Sequence, residues 1–262
     1  MQNVKKPEIN LIGAGNLAYH LGISLHRAGY HINQIFSRTQ QHAERLAKIV
    51  GAEAISDFEQ LNNKADMYIF ALTDHVLSNL PALKLRGKIV AHTSGILPSN
   101  ELIRISNDCG IFYPLQTFKK GKTTDFSEVF ITVFANTKRA DQMLRYVADS
   151  LSKHVVELND TQREWLHLSA VFANNFTNIL LDVSYELACS NNIPFEMLKP
   201  LIRQTYERAI SGEAPGKFQT GPAVRGDINT INHHADMLMK NPKFQQLYRS
   251  LSALIKERVS KQ

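Results

Sequence analysis

Cysteine is nearly missing from this 262-residue chain, with only Cys109 and Cys189 present. They lie far apart with no metal-ligand spacing around them, so neither a disulfide framework nor a metal site is expected. A reducing compartment is the simple reading. Also missing is any apolar run of the roughly 18 residues that a membrane span needs. Residues 1–8 are polar and carry no apolar stretch of the signal-peptide kind, so a soluble, cytoplasmic protein is expected. The net charge of +6 comes from scattered Lys and Arg, not from a stripe interleaved with aromatics. That scatter excludes nucleic acid as the expected partner and favours small anionic molecules. A hydrophobic share of 44% with 21% charged residues excludes disorder and leaves room for a sizeable core.

What is present is alternation. Short apolar runs at 9–12, 32–37, 52–55, 67–72, 88–92, 111–113, 129–134 and 155–156 read as strands. Amphipathic stretches at 17–28 and 40–50 read as crossover helices between them. The spacing predicts an α/β fold: a Rossmann doubly wound, mostly parallel sheet with helices on both faces. After residue 158 the pattern becomes all-helical, with one long helix over 161–190 and others over 195–210, 227–240 and 245–258. Domains are therefore expected at 1–158 and 159–262.

The sharpest motif is Gly13-Ala14-Gly15-Asn16-Leu17-Ala18, placed after the first strand and opening the first helix. Gly13 permits the tight turn, Gly15 lets backbone approach a pyrophosphate, and Ala18 keeps helix and strand close. The anion would then lie at a helix N-terminus. A glycine turn without a ligand is the alternative. At the end of the second strand, NAD sites usually place a carboxylate, yet none occurs between Glu8 and Glu44. Ser37-Arg38-Thr39 stands there instead, and a guanidinium between two hydroxyls suits the 2′-phosphate of NADP(H). Arg38 could equally be a solvated turn residue. Leu72-Thr73-Asp74 and His92-Thr93-Ser94-Gly95 follow later strands and should reach the cofactor edge. Thr93 and Ser94 could instead cap the segment that follows.

Along 161–190, a step of about 100° per residue puts His167, Asn174, Asn178, Asp182 and Tyr185 on one face, with Asn175 at its edge. The rest of that helix is so apolar that burial is expected, and buried amides need partners. The row reads as a ligand-filled cleft, in which His167 donates a proton while Asn174 and Asn178 orient the substrate. It reads as well as a satisfied polar seam between helices, at a dimer interface for instance. Gln116, within Tyr113-Pro114-Leu115-Gln116-Thr117-Phe118, and Arg225, within a Gly/Pro-rich loop, are candidate substrate residues beside Asn175. The plainer roles are a turn for Gln116 and a surface ion pair for Arg225.

Together, G-A-G-N-L-A, S-R-T, H-T-S-G, Y-P-L-Q-T-F, A-V-F-A-N-N-F-T-N and G-P-A-V-R-G-D resemble the bacterial Rossmann-like oxidoreductases that end in a domain of unknown function. The resemblance spans nearly the whole chain. That family is related to pyrroline-5-carboxylate reductase, ketopantoate reductase, β-hydroxyacid dehydrogenases and deazaflavin-dependent NADP reductases. It implies an NADP(H)-binding first half and a helical half that forms a homodimer. One position departs from the relatives: where β-hydroxyacid dehydrogenases carry a catalytic Lys one turn before an Asn, this chain has Val171 before Asn175. His167, or Lys119 or Lys120 from a loop, would have to substitute.

The expected function is NADPH-dependent reduction of a small carboxylate-bearing carbonyl or imine compound, with ketopantoate as the first candidate. A catalytically silent NADP(H)-binding sensor dimer and a deazaflavin-dependent NADP oxidoreductase are the alternatives.

Overall fold

The computed structural model describes residues 6–119, 121 and 124–261. Strand β1 (Ile9–Ile12) feeds helix α1 (Asn16–Arg27), and β2 (Ile32–Phe36) feeds α2 (Gln40–Val50). Then come β3 (Glu53–Ile55), β4 (Met67–Phe70), a short α3 (Asp74–Ser78), β5 (Ile89–His92) and β6 (Asp108–Pro114). The sheet ends with β7 (Ile131–Ala135), α4 (Lys138–Asp149) and β8 (Val155–Glu157). The strand order is β3-β2-β1-β4-β5-β6-β7-β8, with every neighbouring pair parallel except β6 and β7. The sheet is thus doubly wound and mostly parallel, and the order reverses between β1 and β4.

Period-two alternation divides the strand residues between two cores. Ile9, Leu11, Met67, Ile69, Ile89 and Ala91 pack with Leu21, Leu46 and Leu144 under α1, α2 and α4. Ile12, Phe36, Tyr68, Phe70 and Val90 pack on the opposite face with Leu77, Leu102 and Ile105. Strand β6 runs longer than the 111–113 expected. Gly110 opens its N-terminal part to pairing, because a Cβ there would collide with the Phe134 carbonyl of β7.

The strands end at 157, close to where the sequence pattern changes, and the rest is helical. Helix α5 (Asp160–Ala170) runs directly into a π-helical turn, Val171–Phe176, and then into α6 (Thr177–Ser190). This corrects the expectation of one uniform helix over 161–190. An i→i+5 turn takes in extra backbone per turn, so a 100° step cannot carry a face across it. Residues before and after 171–176 therefore do not share the single stripe that the sequence suggested. Helices α7 (Lys199–Ala209), α8 (Pro222–Arg225), α9 (Ile228–Met237) and α10 (Pro242–Val259) complete the chain.

By compactness the chain forms two units, residues 1–171 and 172–262, so α5 lies with the sheet. In the second unit the buried apolar residues are Ala188, Ala223 and Ala235, while Phe172, Phe176, Ile179, Leu180, Leu201 and Ile210 are exposed. The largely buried helix that the sequence pattern leads one to expect is not enclosed by the described elements of the second unit. No described helix is long and apolar enough to cross a membrane.

Candidate functional site

The loop from β1 to α1 lies where the strand order reverses, at the carboxyl ends of the strands, which is where open α/β sheets bind ligands. Its two glycines have different physical reasons. Gly13 sits at φ +132°, and a Cβ on it would collide with the carbonyl oxygen of Ala71. Gly15 has an ordinary φ of −71°, and a Cβ on it would meet nothing within 4 Å. No described residue demands glycine at 15, and the bare backbone there leaves room for a ligand to approach closely. Helix α1 starts there with no side-chain cap and no acid in its first turn, leaving its N–H groups for an anion. Asn16 is exposed, Leu17 half-buried, and Ala14 buried beneath the loop. The arrangement fits a dinucleotide pyrophosphate.

At the end of β2, the Ser37 hydroxyl accepts from the Thr39 backbone N–H at 3.3 Å. Thr39 is the N-cap of α2, but its side chain bonds no backbone N–H, and no acid occupies the first turn. Arg38 is exposed and, among the described residues, has no carboxylate partner. A free guanidinium beside two hydroxyls and an uncapped helix start suits a phosphate dianion. After β4, Leu72 packs on the lower core while Thr73 caps α3 without a side-chain bond and Asp74 begins it.

Beyond β5 the residues are more committed. His92 is fully buried; its Nε2 lies 2.9 Å from the Pro98 carbonyl, and its Nδ1 accepts from the Ser94 N–H at 3.2 Å. Burial above all pushes its pKa down, against the bond to Pro98, which keeps the ring neutral. The ring is therefore a brace and not a cofactor contact. The Ser94 hydroxyl accepts from the Ile96 and Leu97 N–H groups at 3.1 and 3.0 Å, closing the turn as the capping alternative has it. Thr93 is buried beside it.

Helix α5 meets this turn. A capping box between Asn159 and Gln162 starts the helix. Asp160 accepts from the Ser99 N–H at 3.0 and 3.1 Å and from the Ser99 hydroxyl at 3.1 Å. Arg163, fully buried, bonds Asp160 at 2.6 Å and the Leu97 carbonyl. Burial disfavours the Asp160 carboxylate, but Arg163 and Ser99 outweigh it and hold its pKa below the ordinary range. One turn on, the His167 ring lies against Gly95, where an added Cβ would be 2.6 Å from its Cγ and Nδ1. His167 Nδ1 is 2.9 Å from the Tyr113 hydroxyl at the end of β6. Burial raises the Tyr113 pKa, while Arg163 partly opposes it. The phenol is therefore protonated across the ordinary pH range.

The sheet unit thus aligns Gly13–Leu17, 37–39, 72–74 and 93–94 along one edge and sets His167 beside the last of them. Of the other described candidates, two lie in the sheet unit and the rest in the second unit. Gln116 is exposed, and its side-chain oxygen accepts from the Thr117 N–H at 2.8 Å, which is the turn role. Lys119 is exposed, with its carbonyl 3.0 Å from His20 Nε2. Lys120 lies outside the described residues. In the second unit, Asn174 and Asn175 lie in the π turn. Asn178 joins Asp182, Tyr185, Phe195, Lys199 and Arg203 along an open groove, which Arg225 does not line. Arg225 is exposed at the end of α8, and Asp227 caps α9 by accepting from the Thr230 N–H at 3.0 Å. Sequence reasoning missed Asp160 and Arg163 as site residues, and it placed Gly95 and Tyr113 in candidate motifs without giving either a role of its own. A usable signal existed for Arg163, which precedes His167 by one helical turn and so shares its face.

Residues 8–94 match a family described as NADP oxidoreductase, coenzyme F420-dependent, and residues 129–255 match a domain of unknown function, DUF2520. No curated protein matches the chain. A structure from Bacteroides fragilis, described as a putative NADP oxidoreductase, is 38% identical over 96% of this chain and 98% of that one, with a TM-score of 0.86. An imine reductase from Myxococcus stipitatus in complex with NADP+ shares the fold at 15% identity, covering 97% and 95% of the two chains with a TM-score of 0.62. A pyrroline-5-carboxylate reductase from Coxiella burnetii does so at 16%, covering 98% of each with a TM-score of 0.54. The chain belongs to the NADP oxidoreductase family that joins a Rossmann-like NADP(H)-binding domain to this helical C-terminal domain.

Proposed function

We propose that the protein reduces a C=O or C=N bond in a small carboxylate-bearing compound with NADPH, and that His167 donates the proton. The observation that carries this is the His167 ring, wedged against Gly95 at the strand ends beyond the dinucleotide loop, with no described residue bonded to its Nε2. NADPH supplies hydride. The protein's own part is to hold the dinucleotide on the α1 N-terminus and Arg38, and to keep one proton-bearing nitrogen facing the cleft. The relatives of this fold include imine and pyrroline-5-carboxylate reductases; none of those reported names ketopantoate. Coenzyme F420 appears only in the description matching residues 8–94, the nucleotide-binding half, so it identifies no second-cofactor site.

We also infer that the helical unit works as a homodimer in the cytoplasm. Exposed Phe172, Phe176, Ile179 and Leu180 on consecutive turns form a patch that a lone soluble chain rarely leaves open. Asn174, Asn175, Asn178 and Arg225 are read as substrate residues completed in that assembly.

The test begins with NADPH and NADH titrations, followed by energy transfer from Trp165. Tight NADPH with weak NADH, levelled by Arg38→Asp, is expected. A screen of 2-keto acids and cyclic imines follows, in which His167→Gln should lose about 10²-fold or more in kcat while still binding NADPH. Binding without turnover of any such compound would replace the reductase with a sensor.

A further inference from the structure

We propose that Tyr113 is a positioning residue that fixes the tautomer of His167, placing the ring proton on Nε2. The idea rests on the reading of His167 as proton donor, but the atoms that carry it are all in the sheet unit. The phenol oxygen and Nδ1 are 2.9 Å apart, within hydrogen-bond reach. Between a neutral phenol and a neutral imidazole, the phenol is the stronger acid and the ring nitrogen the stronger base. Tyr113 therefore donates and Nδ1 accepts, which leaves Nε2 to hold the hydrogen.

Three features hold the ring and its partners in place. Gly95 forms a wall that a single methyl group would push into the imidazole. Arg163, fully buried, ties α5 to the Leu97 carbonyl and, through Asp160, to Ser99, so the turn before His167 cannot slide along the 94–99 turn. Tyr113 is itself buried and sits at the end of β6, so the partner of Nδ1 is as fixed as the sheet. Side chains on α5, β6 and the turn after β5 thus converge on one ring. The charged groups on α5 are Asp160, Arg163 and Glu164, of which Asp160 and Arg163 pair with each other; Glu101 lies on the segment after β5 and Asp108 at the start of β6.

The pair gives a balanced proton path. As the substrate carbon accepts hydride, its C=O or C=N π pair moves onto the heteroatom, which takes the proton from Nε2. Nδ1 takes the phenolic proton as the Nε2–H bond breaks, and Arg163 favours the transient phenolate; water then reprotonates Nε2 while Nδ1 returns its proton to Tyr113, which restores the starting tautomer. No oxidant or reductant beyond NADPH is consumed.

The test reads the ring nitrogens directly by long-range 15N–1H correlation in uniformly labelled protein, with His167 assigned by its loss in His167→Gln. The expected wild-type pattern is an unprotonated Nδ1 and a protonated Nε2. Tyr113→Phe should give a mixture of tautomers while the NADPH titration stays within about twofold. Gly95→Ala should disturb the same signals with the phenol intact, which covers the case in which Tyr113→Phe does not fold. A protonated Nδ1 in the wild type, or an unchanged His167 pattern in a folded Tyr113→Phe, overturns the proposal. Turnover separates the two ideas. With the tautomer as expected, Tyr113→Phe should lower kcat by about 10- to 100-fold with KM held. A wild type that reduces nothing while showing that tautomer removes the reductase reading and leaves the tautomer assignment standing.

Discussion

The two units of this chain solve the burial problem in opposite ways. In the sheet unit every residue of β1, β4 and β5 is buried, and side chains as large as Tyr68, Phe70 and Phe112 are fully enclosed. Among the described residues of the helical unit, the enclosed apolar side chains are alanines, and aromatic and branched ones lie open along α6, α7 and α9. Hydrophobic burial scales with apolar area removed from water, so the first unit carries its own stability. The second unit encloses little apolar area within its own described residues. Apolar residues thus build an enclosed core in one unit and lie exposed in the other.

The comparison can be broken first with matched truncations. Phe112→Ala should cost about 3–5 kcal/mol and lower the melting temperature equally at every protein concentration. Phe176→Ala should cost little in dilute monomer, yet its effect on melting should grow with concentration. If both losses are independent of concentration, the helical face is not covered by a second copy. A stronger version, Phe176→Asp with Ile179→Asp, should convert the assembly to monomer in sedimentation while NADPH binding persists.

The glycine pair sharpens the contrast between structural and ligand-imposed residues inside the sheet unit. Gly13→Ala should destabilise by about 1–3 kcal/mol or more, since the added methyl meets the Ala71 carbonyl at an unfavourable φ. Gly15→Ala should leave melting nearly unchanged but weaken NADPH clearly. Equal effects of the two substitutions on melting would mean that Gly15 has a structural role.

The smallest expected effect concerns pH. The folded pKa of His92 is lowered from 6.5, chiefly by burial. Its contribution to stability is thus complete above pH 6.5 and lost as pH falls from there towards the folded value. Asp160, also lowered, contributes above its ordinary value of 3.8 and loses that contribution only in more acid solution. Denaturant melts between pH 7 and 5 should therefore show a slope that His92→Gln flattens and Asp160→Asn does not.

Much of the sheet unit was legible because its signals are local. Alternation gave the strands, and G-A-G-N-L-A gave the turn and the helix start. The π turn was not legible, because V-F-A-N-N-F has the same composition whether the backbone bonds at i+4 or at i+5. That one turn defeated the stripe joining His167 to Asn178. Tyr113 and His167 are 54 positions apart, so no periodicity links them. Arg163 misleads for another reason: an arginine on a helix normally reads as solvent-facing, and only the folded turn at 94–99 supplies its buried partners. Apolarity alone does not say what covers α6, which is why the sequence left both a cleft and a dimer interface open.

The two cysteines make this division experimentally convenient. Cys109 is buried against the lower core, with its thiol pushed up to about 11 mainly by burial, whereas Cys189 is exposed on α6. A maleimide dye or spin label added to the native protein should therefore mark the helical unit alone, at one site and without mutagenesis. The chain thus carries its own single reporter on the helical unit.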